Sequence, residues 1–202
     1  MVNVAVLVSG GGTNLQAILD AEQSGALHSG KVTLVVSNNP DAYALTRAAN
    51  RGVDTLVLSK ADYPTRPAFE QALVDALTAH HIDLIVLAGF MRILSADFTS
   101  RYPERIINVH PALIPSFCGE GFYGLRVHEA ALKYGVKVTG ATVHFVNEIP
   151  DGGRIIAQKA VYIEPDDTPE TLQKRVMTEA EWILLPQAIE TVCGQMNCAF
   201  GA

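Results

Sequence analysis

Short apolar runs alternate with segments of helical spacing from Val2 to Val109, and few folds accept that order. Val2 to Val8, Lys31 to Val36, Val53 to Leu58, Ile82 to Ala88 and Arg105 to Val109 read as strands. Between them, Asn14 to Ser24, Ala42 to Arg51 and Ala68 to His80 carry apolar residues at helical intervals, with Gly52 placed to end the second helix. Strands that are apolar on both faces and separated by helices build a parallel sheet with right-handed crossovers. The expectation is an α/β, Rossmann-like fold with helices on both faces.

After Val109 the character changes. Pro111 to Leu125 is a long loop rich in Pro and Gly, and Val127 to Lys133 reads as a short helix stopped by Gly135. Thr142 to Val146 and Gly153 to Val161 flank a turn, which predicts an antiparallel C-terminal extension of the sheet. Thr168-Pro169-Glu170 opens a last helix, with Thr as cap and Pro at the first position. It is expected to run towards Trp182, bend at Pro186 and reach about Thr191. With no repeat, low-complexity segment or linker, residues 1–202 read as a single domain.

Composition narrows the function. A net charge of −6 disfavours a nucleic-acid surface. No apolar run approaches the length of a membrane span and no basic leader opens the chain, so a cytoplasmic protein with no membrane partner is expected. Three cysteines without C-x-x-C spacing suggest reduced thiols, and the six histidines have no ligand spacing, so no metal is expected.

Two local patterns carry chemistry. Ser9-Gly10-Gly11-Gly12-Thr13-Asn14 joins the first strand to the first helix. It is either a tight turn or a phosphate cradle of backbone N–H groups. A dinucleotide fingerprint would need Gly where Leu15 stands, and no Lys follows as in a P-loop, so a phosphate monoester fits better. Asn108 and His110, two apart at a strand end, project from the same face, and Pro111 stops the strand there. They are either end caps or an amide donor beside an acid/base, half of a carbonyl-chemistry site. Asp151, before Gly152-Gly153, is either turn chemistry or a third partner whose charge would raise the His110 pKa.

Taken in order, Ser9 to Asn14, Leu87-Ala88-Gly89-Phe90-Met91-Arg92-Ile93-Leu94, Asn108-Val109-His110-Pro111, Thr142-Val143-His144-Phe145-Val146 and Asp151-Gly152-Gly153 resemble the phosphoribosylglycinamide formyltransferase (glycinamide ribonucleotide transformylase) family. The resemblance spans about Val2 to Pro186. It implies formyl transfer from 10-formyltetrahydrofolate, as co-substrate, to the amine of N1-(5-phospho-D-ribosyl)glycinamide in purine biosynthesis. It places the catalytic trio on Asn108, His110 and Asp151, the phosphate site on Gly11, Gly12, Thr13 and Asn14, and His144 in support. The formylfolate site falls on Arg66, on Met91, Arg92, Ile93 and Leu94, and on Asn147, Glu148, Ile149 and Pro150. In the family, three residues separate an Arg-Val pair from the ribose-binding acid. Here Arg175-Val176 is followed by four before Glu181, so the ligand is Glu181 if a bulge absorbs the extra residue, or Glu179 if none does.

The resemblance leaves rivals. A formyltetrahydrofolate hydrolase would use the same trio on water, but that family carries an N-terminal regulatory domain, whereas this chain opens on the strand and glycine loop. A methionyl-tRNA formyltransferase would add a basic RNA-binding domain. A non-catalytic nucleotide-binding module would leave the trio idle.

Overall fold

The computed structural model describes residues 1–200, leaving aside the side chain of Phe200. Seven strands form one sheet: β1 (Val2–Val8), β2 (Gly30–Ser37), β3 (Asp54–Val57), β4 (Leu84–Leu87), β5 (Ile106–His110), β6 (Val138–Phe145) and β7 (Ile155–Tyr162), in the order β3-β2-β1-β4-β5-β6-β7. The pairs from β3 to β5 are parallel. β6 runs antiparallel to both β5 and β7, which is the expected extension. β6 starts earlier than its sequence suggests, because Val138 already pairs with Tyr162.

Period two divides the central strands between two cores. Val4, Val6 and Val8 face one side, where α1 (Thr13–Ser24), α2 (Tyr43–Ala49), α6 (Pro169–Val176) and α7 (Trp182–Phe200) cover them. Ala5 and Leu7 face the other, under α3 (Arg66–Ala79) and α4 (Ala96–Ser100). Each fully buried Leu, Ile or Phe here, such as Leu15, Ile18, Phe69 and Leu73, contributes roughly 1.5–3 kcal/mol. α5 (Leu125–Tyr134) ends at Gly135, which takes the left-handed conformation and donates back to Ala131 and Leu132. The end of α2 is closed the same way, by Gly52 donating to Ala49 and Val53 to Ala48.

Three features depart from the sequence expectations. α4 has no counterpart among the expected elements; its Ser95 cap accepts from Phe98, and the buried Glu70 carboxylate on α3 holds Ser95 through its N–H and hydroxyl. The last helix continues through Pro186 and past Thr191, because Val192 and Cys193 still pack on the core and Asn197 donates to the Ser29 carbonyl at 2.9 Å. Its irregularity falls before the proline, in a π turn at Met177–Glu181. Among the described residues, no helix is long and apolar enough to cross a membrane.

Candidate active site

The strand order reverses direction around β1 and β4, and ligands of open α/β sheets settle outside the C-terminal strand ends at such a point. Here the glycine loop leaves β1 and the Ala88 to Leu94 segment leaves β4. Ser9 ties the two, its Oγ accepting from the Met91 N–H at 2.8 Å. At Gly12 the backbone has φ of 70°, and an added Cβ would sit 2.5 Å from that of Ala44, so only glycine fits. Gly12 supplies no side-chain cap to α1. The first-turn N–H groups are therefore available to an anion, and the helix dipole favours one.

Arg47, on α2, is a member of this neighbourhood that sequence reasoning missed. Its Nε donates to the Gly11 carbonyl at 2.8 Å and its Nη1 to Gln16. Nothing local marks Arg47 in the sequence; the packing of α2 against α1 alone brings a cation to the loop.

The Asn14 side chain donates through Nδ2 to Glu181 Oε2 at 2.6 Å, a buried contact across 167 positions. The π turn explains the pairing. One extra residue in a regular α-helix would rotate the later side chains by about 100° around the axis, and i→i+5 bonding absorbs it. Of the two acids left open, Glu181 is buried against the first helix and Glu179 is exposed.

The second cluster stands on β5 and β6. Register sets Asn108 opposite His144 and His110 opposite Thr142. Asn108 Nδ2 and His144 Nε2 lie 3.2 Å apart, and His144 Nδ1 donates to the Phe145 carbonyl at 2.8 Å. Asp151 enters from the β6–β7 turn. Asn147 Oδ1 accepts from the Ile149 N–H and the Ile149 carbonyl from Gly152, so the turn is held internally. Gly153 passes so close to the Phe145 carbonyl that any Cβ there would collide with it. Asp151 itself has φ of 55°, a left-handed conformation that Asp tolerates better than most residues.

That turn puts Asp151 Oδ2 at 3.4 Å from His110 Nδ1 and Oδ1 at 3.5 Å from His144 Nε2. The Pro111 to Leu125 loop folds over the pair. The Gly119 N–H donates to Asp151 Oδ2 at 2.8 Å, and His110 Nε2 donates to the Phe117 carbonyl at 2.8 Å. A carbonyl only accepts, so Nε2 carries the hydrogen and Nδ1 faces the carboxylate.

The electrostatics correct one expectation. Asp151 does favour the His110 cation, as does the Phe117 carbonyl, but burial is the larger effect and His144 adds to it. His110 thus titrates below an ordinary imidazole, not above it. Burial alone would raise Asp151, yet the His144 and His110 rings and the Gly119 N–H together hold it below the usual carboxylate range.

The remaining residues of the implied formylfolate site are more scattered. Arg92 lies over the Phe69 ring at 3.9 Å, and its Nη1 is buried with no hydrogen-bond partner. Met91, Ile93 and Ile149 are exposed apolar side chains, Leu94 is buried, and Glu148 and Pro150 are exposed. An unpaired buried guanidinium N–H near exposed apolar groups fits a flat, carboxylate-bearing ligand. Arg66 opens α3 and is exposed; it borders a cleft of about 340 Å³ with Glu70, Ser95 and Arg101.

Comparison with known proteins gives one answer. Residues 2–189 match the family described as formyl transferase. The chain is 40% identical over 190 residues to phosphoribosylglycinamide formyltransferase of Haemophilus influenzae, covering 94% of this chain and 86% of that protein. It is 40% identical over 191 residues to the chloroplastic phosphoribosylglycinamide formyltransferase of Arabidopsis thaliana, covering 94% of this chain. The chain spans only 65% of that plant protein, and 13% of the Drosophila melanogaster trifunctional purine biosynthetic protein adenosine-3. Glycinamide ribonucleotide transformylase 1 of Symbiobacterium toebii superposes with a TM-score of 0.90 at 44% identity, covering 96% of this chain and 89% of that one. The likeness takes in the whole sheet, its antiparallel extension and the helices on both faces, and the chain belongs to the formyl transferase family.

Proposed function

We propose that this chain moves a formyl group from 10-formyltetrahydrofolate to the amine of glycinamide ribonucleotide, a step of purine biosynthesis, as one domain of residues 1–202 acting in the cytoplasm. The observation that carries the proposal is His110 Nδ1 at 3.4 Å from Asp151 Oδ2, with Asn108 on the same strand face. Relatives of matching length bear the corresponding name.

In this reading the phosphate sits on the first turn of α1, against the N–H groups of Gly11 to Asn14, with Arg47 adding charge from behind the loop. Glu181 meets the ribose hydroxyls. The formylfolate lies along Met91 to Leu94 and the Asn147 to Pro150 turn, with Arg66 and Arg92 as cations for its carboxylates. Asn108 donates an amide hydrogen to the formyl oxygen as it gains charge, which counts most where water is excluded.

His110 begins as a neutral ring. The attacking amine forms its bond to the formyl carbon and must lose one proton, and His110 receives it on Nδ1 beside Asp151. The departing folate nitrogen takes one proton as its bond to carbon breaks, so the ring returns to its starting state. His144 braces both Asn108 and Asp151. Proton transfer of this kind is typically worth about 10²–10⁴-fold.

The test measures tetrahydrofolate release by absorbance, with wild type and His110→Ala. Wild type should release it only when glycinamide ribonucleotide is present, and His110→Ala should lose about 10²–10⁴-fold in turnover while retaining ribonucleotide affinity. Near-wild-type turnover in the variant would remove the proton-transfer role.

A further inference from the structure

Glu181 is the least conventionally placed acid in the molecule. Its residue is 7% exposed, and among the described residues no Lys, Arg or His lies within salt-bridge distance of it. The elements around it offer no counter-charge. On α6, Arg175 is held by Asp167, and Glu170 and Lys174 are exposed. On the π turn Glu179 is exposed, and on β7 so is Lys159. His144 of β6 is engaged by the Phe145 carbonyl, Asn108 and Asp151. On α1, Asp20 pairs with Arg51 and Glu22 accepts from Val32; on α7, Glu190 holds His28 and Ser29. The Cys193 thiol of α7 is buried against Gly30, and that of Cys198 is exposed.

Among the described residues, the one polar partner of Glu181 is itself incomplete. Asn14 Nδ2 donates to Glu181 Oε2, while Asn14 Oδ1 is buried without any donor. A buried acceptor left unpaired loses its hydration with nothing in return. A carboxylate offers Asn14 nothing more, because it only accepts. A carboxylic acid can turn its O–H to Asn14 Oδ1 while its other oxygen keeps the amide N–H, and that reciprocal pair satisfies both side chains.

We propose that Glu181 stands in the free protein as an uncharged carboxylic acid paired with the Asn14 amide, and that the ribonucleotide binds to this neutral form. The second half rests on the ribonucleotide reading given above. Burial pushes the Glu181 carboxyl upward, with the Asn14 bond opposing it less strongly. The chemistry of the ligand agrees. A phosphate held at the start of α1 would repel a carboxylate placed one residue contact away through Asn14, and a neutral acid both donates to and accepts from a sugar hydroxyl.

Two measurements test the proposal. Infrared spectra of the free protein, with and without [13C]glutamate labelling, are recorded from pH 6 to 9. A protonated-carboxyl carbonyl band should be present at neutral pH, shift with the label, fade at higher pH, and be missing in Glu181→Gln. Absence of such a band at neutral pH overturns the first half, and the wild-type titration needs no variant. Calorimetric titration with glycinamide ribonucleotide is then run over the same range for wild type, Glu181→Gln and Glu181→Ala. Gln mimics the neutral acid, so Glu181→Gln should bind within a few-fold of wild type at neutral pH, and Glu181→Ala should bind much more weakly. Above the carboxyl's pKa, wild-type affinity should fall relative to Glu181→Gln by about tenfold per pH unit, as expected for one linked proton. Parallel curves, or Glu181→Gln as weak as Glu181→Ala, overturn the second half. Failure of every protein to bind removes the ribonucleotide reading and the second half with it, while the infrared result still decides the first.

Discussion

Asp151→Asn isolates the charge that faces His110. Asn keeps an oxygen for the Gly119 N–H, so the loop contact at 2.8 Å survives and only the charge is lost. An opposite charge within about 4–6 Å typically moves a pKa by about 1–3 pH units, and the 3.4 Å separation between buried His110 and half-buried Asp151 lies inside that range. The sign is fixed. Asp151 raises His110 against the larger effect of burial, so its removal lets His110 fall further. If neutral His110 is the working form, activity declines as pH drops through its pKa. The acidic limb of kcat/KM should therefore move down by about 1–3 pH units in the variant. The plateau should drop as well, because the cation formed during transfer has lost its partner. At about 1.4 kcal/mol per pH unit, that is about tenfold to a thousandfold. The assay is tetrahydrofolate release across pH with both substrates, alongside an NMR titration of the His110 ring. A reduced plateau with an unmoved acidic limb and an unmoved ring titration would refute the reasoning and leave Asp151 a purely structural role.

Other consequences are open to measurement. Deleting Thr178 restores three residues between Val176 and the acid; it should convert the π turn to α and leave ribonucleotide affinity within a few-fold by calorimetry, whereas a collapse in affinity would show that the extra residue does more than shift register. Gly12→Ala should lower stability by about 1–3 kcal/mol and weaken phosphate binding, because its Cβ meets Ala44 at 2.5 Å; an unchanged melting temperature would contradict that clash. His128 is fully buried with both ring nitrogens unpaired, and burial, aided by His110, lowers its pKa to about 4. The unfolded ring takes a proton near pH 6.5, so stability is lost as pH falls from about 6.5 towards 4. Between pH 7 and 5, urea unfolding of wild type should lose about 2 kcal/mol more than that of His128→Leu, and equal losses would rule the ring out as the cause.

The sequence carried the sheet because its signal is dense. Each central strand is apolar on both faces and bounded by glycine or a polar turn, so strand, helix and connection agree. Asn108 and His110 were legible for a related reason, since period two alone puts them on one face. Asp151 was not placed by any such rule. Its approach to His110 depends on the hairpin register and on a turn closed by Asn147 and Gly153, which is tertiary information that only the family resemblance implies. α4 leaves no mark in the sequence because five residues give too short a stretch for helical spacing, and its anchor, Glu70, lies on another helix. The end of α7 is faint in the sequence because Gly194, Gln195 and Asn197 dilute the apolar stripe, although Asn197 is fastened to Ser29. Spacing could frame the pair Glu179 and Glu181, but which of them packs against Asn14 depends on the π turn. The direction of the His110 shift required burial, and no motif reports how deeply a side chain is covered.

The most direct test of formyl transfer tracks the transferred carbon itself. The protein is mixed with 10-[13C]formyltetrahydrofolate and glycinamide ribonucleotide, and the label is traced by NMR. The account predicts that the signal moves to a formamide on the ribonucleotide, in step with tetrahydrofolate. Label recovered as free formate, at a rate indifferent to the amine, would contradict it.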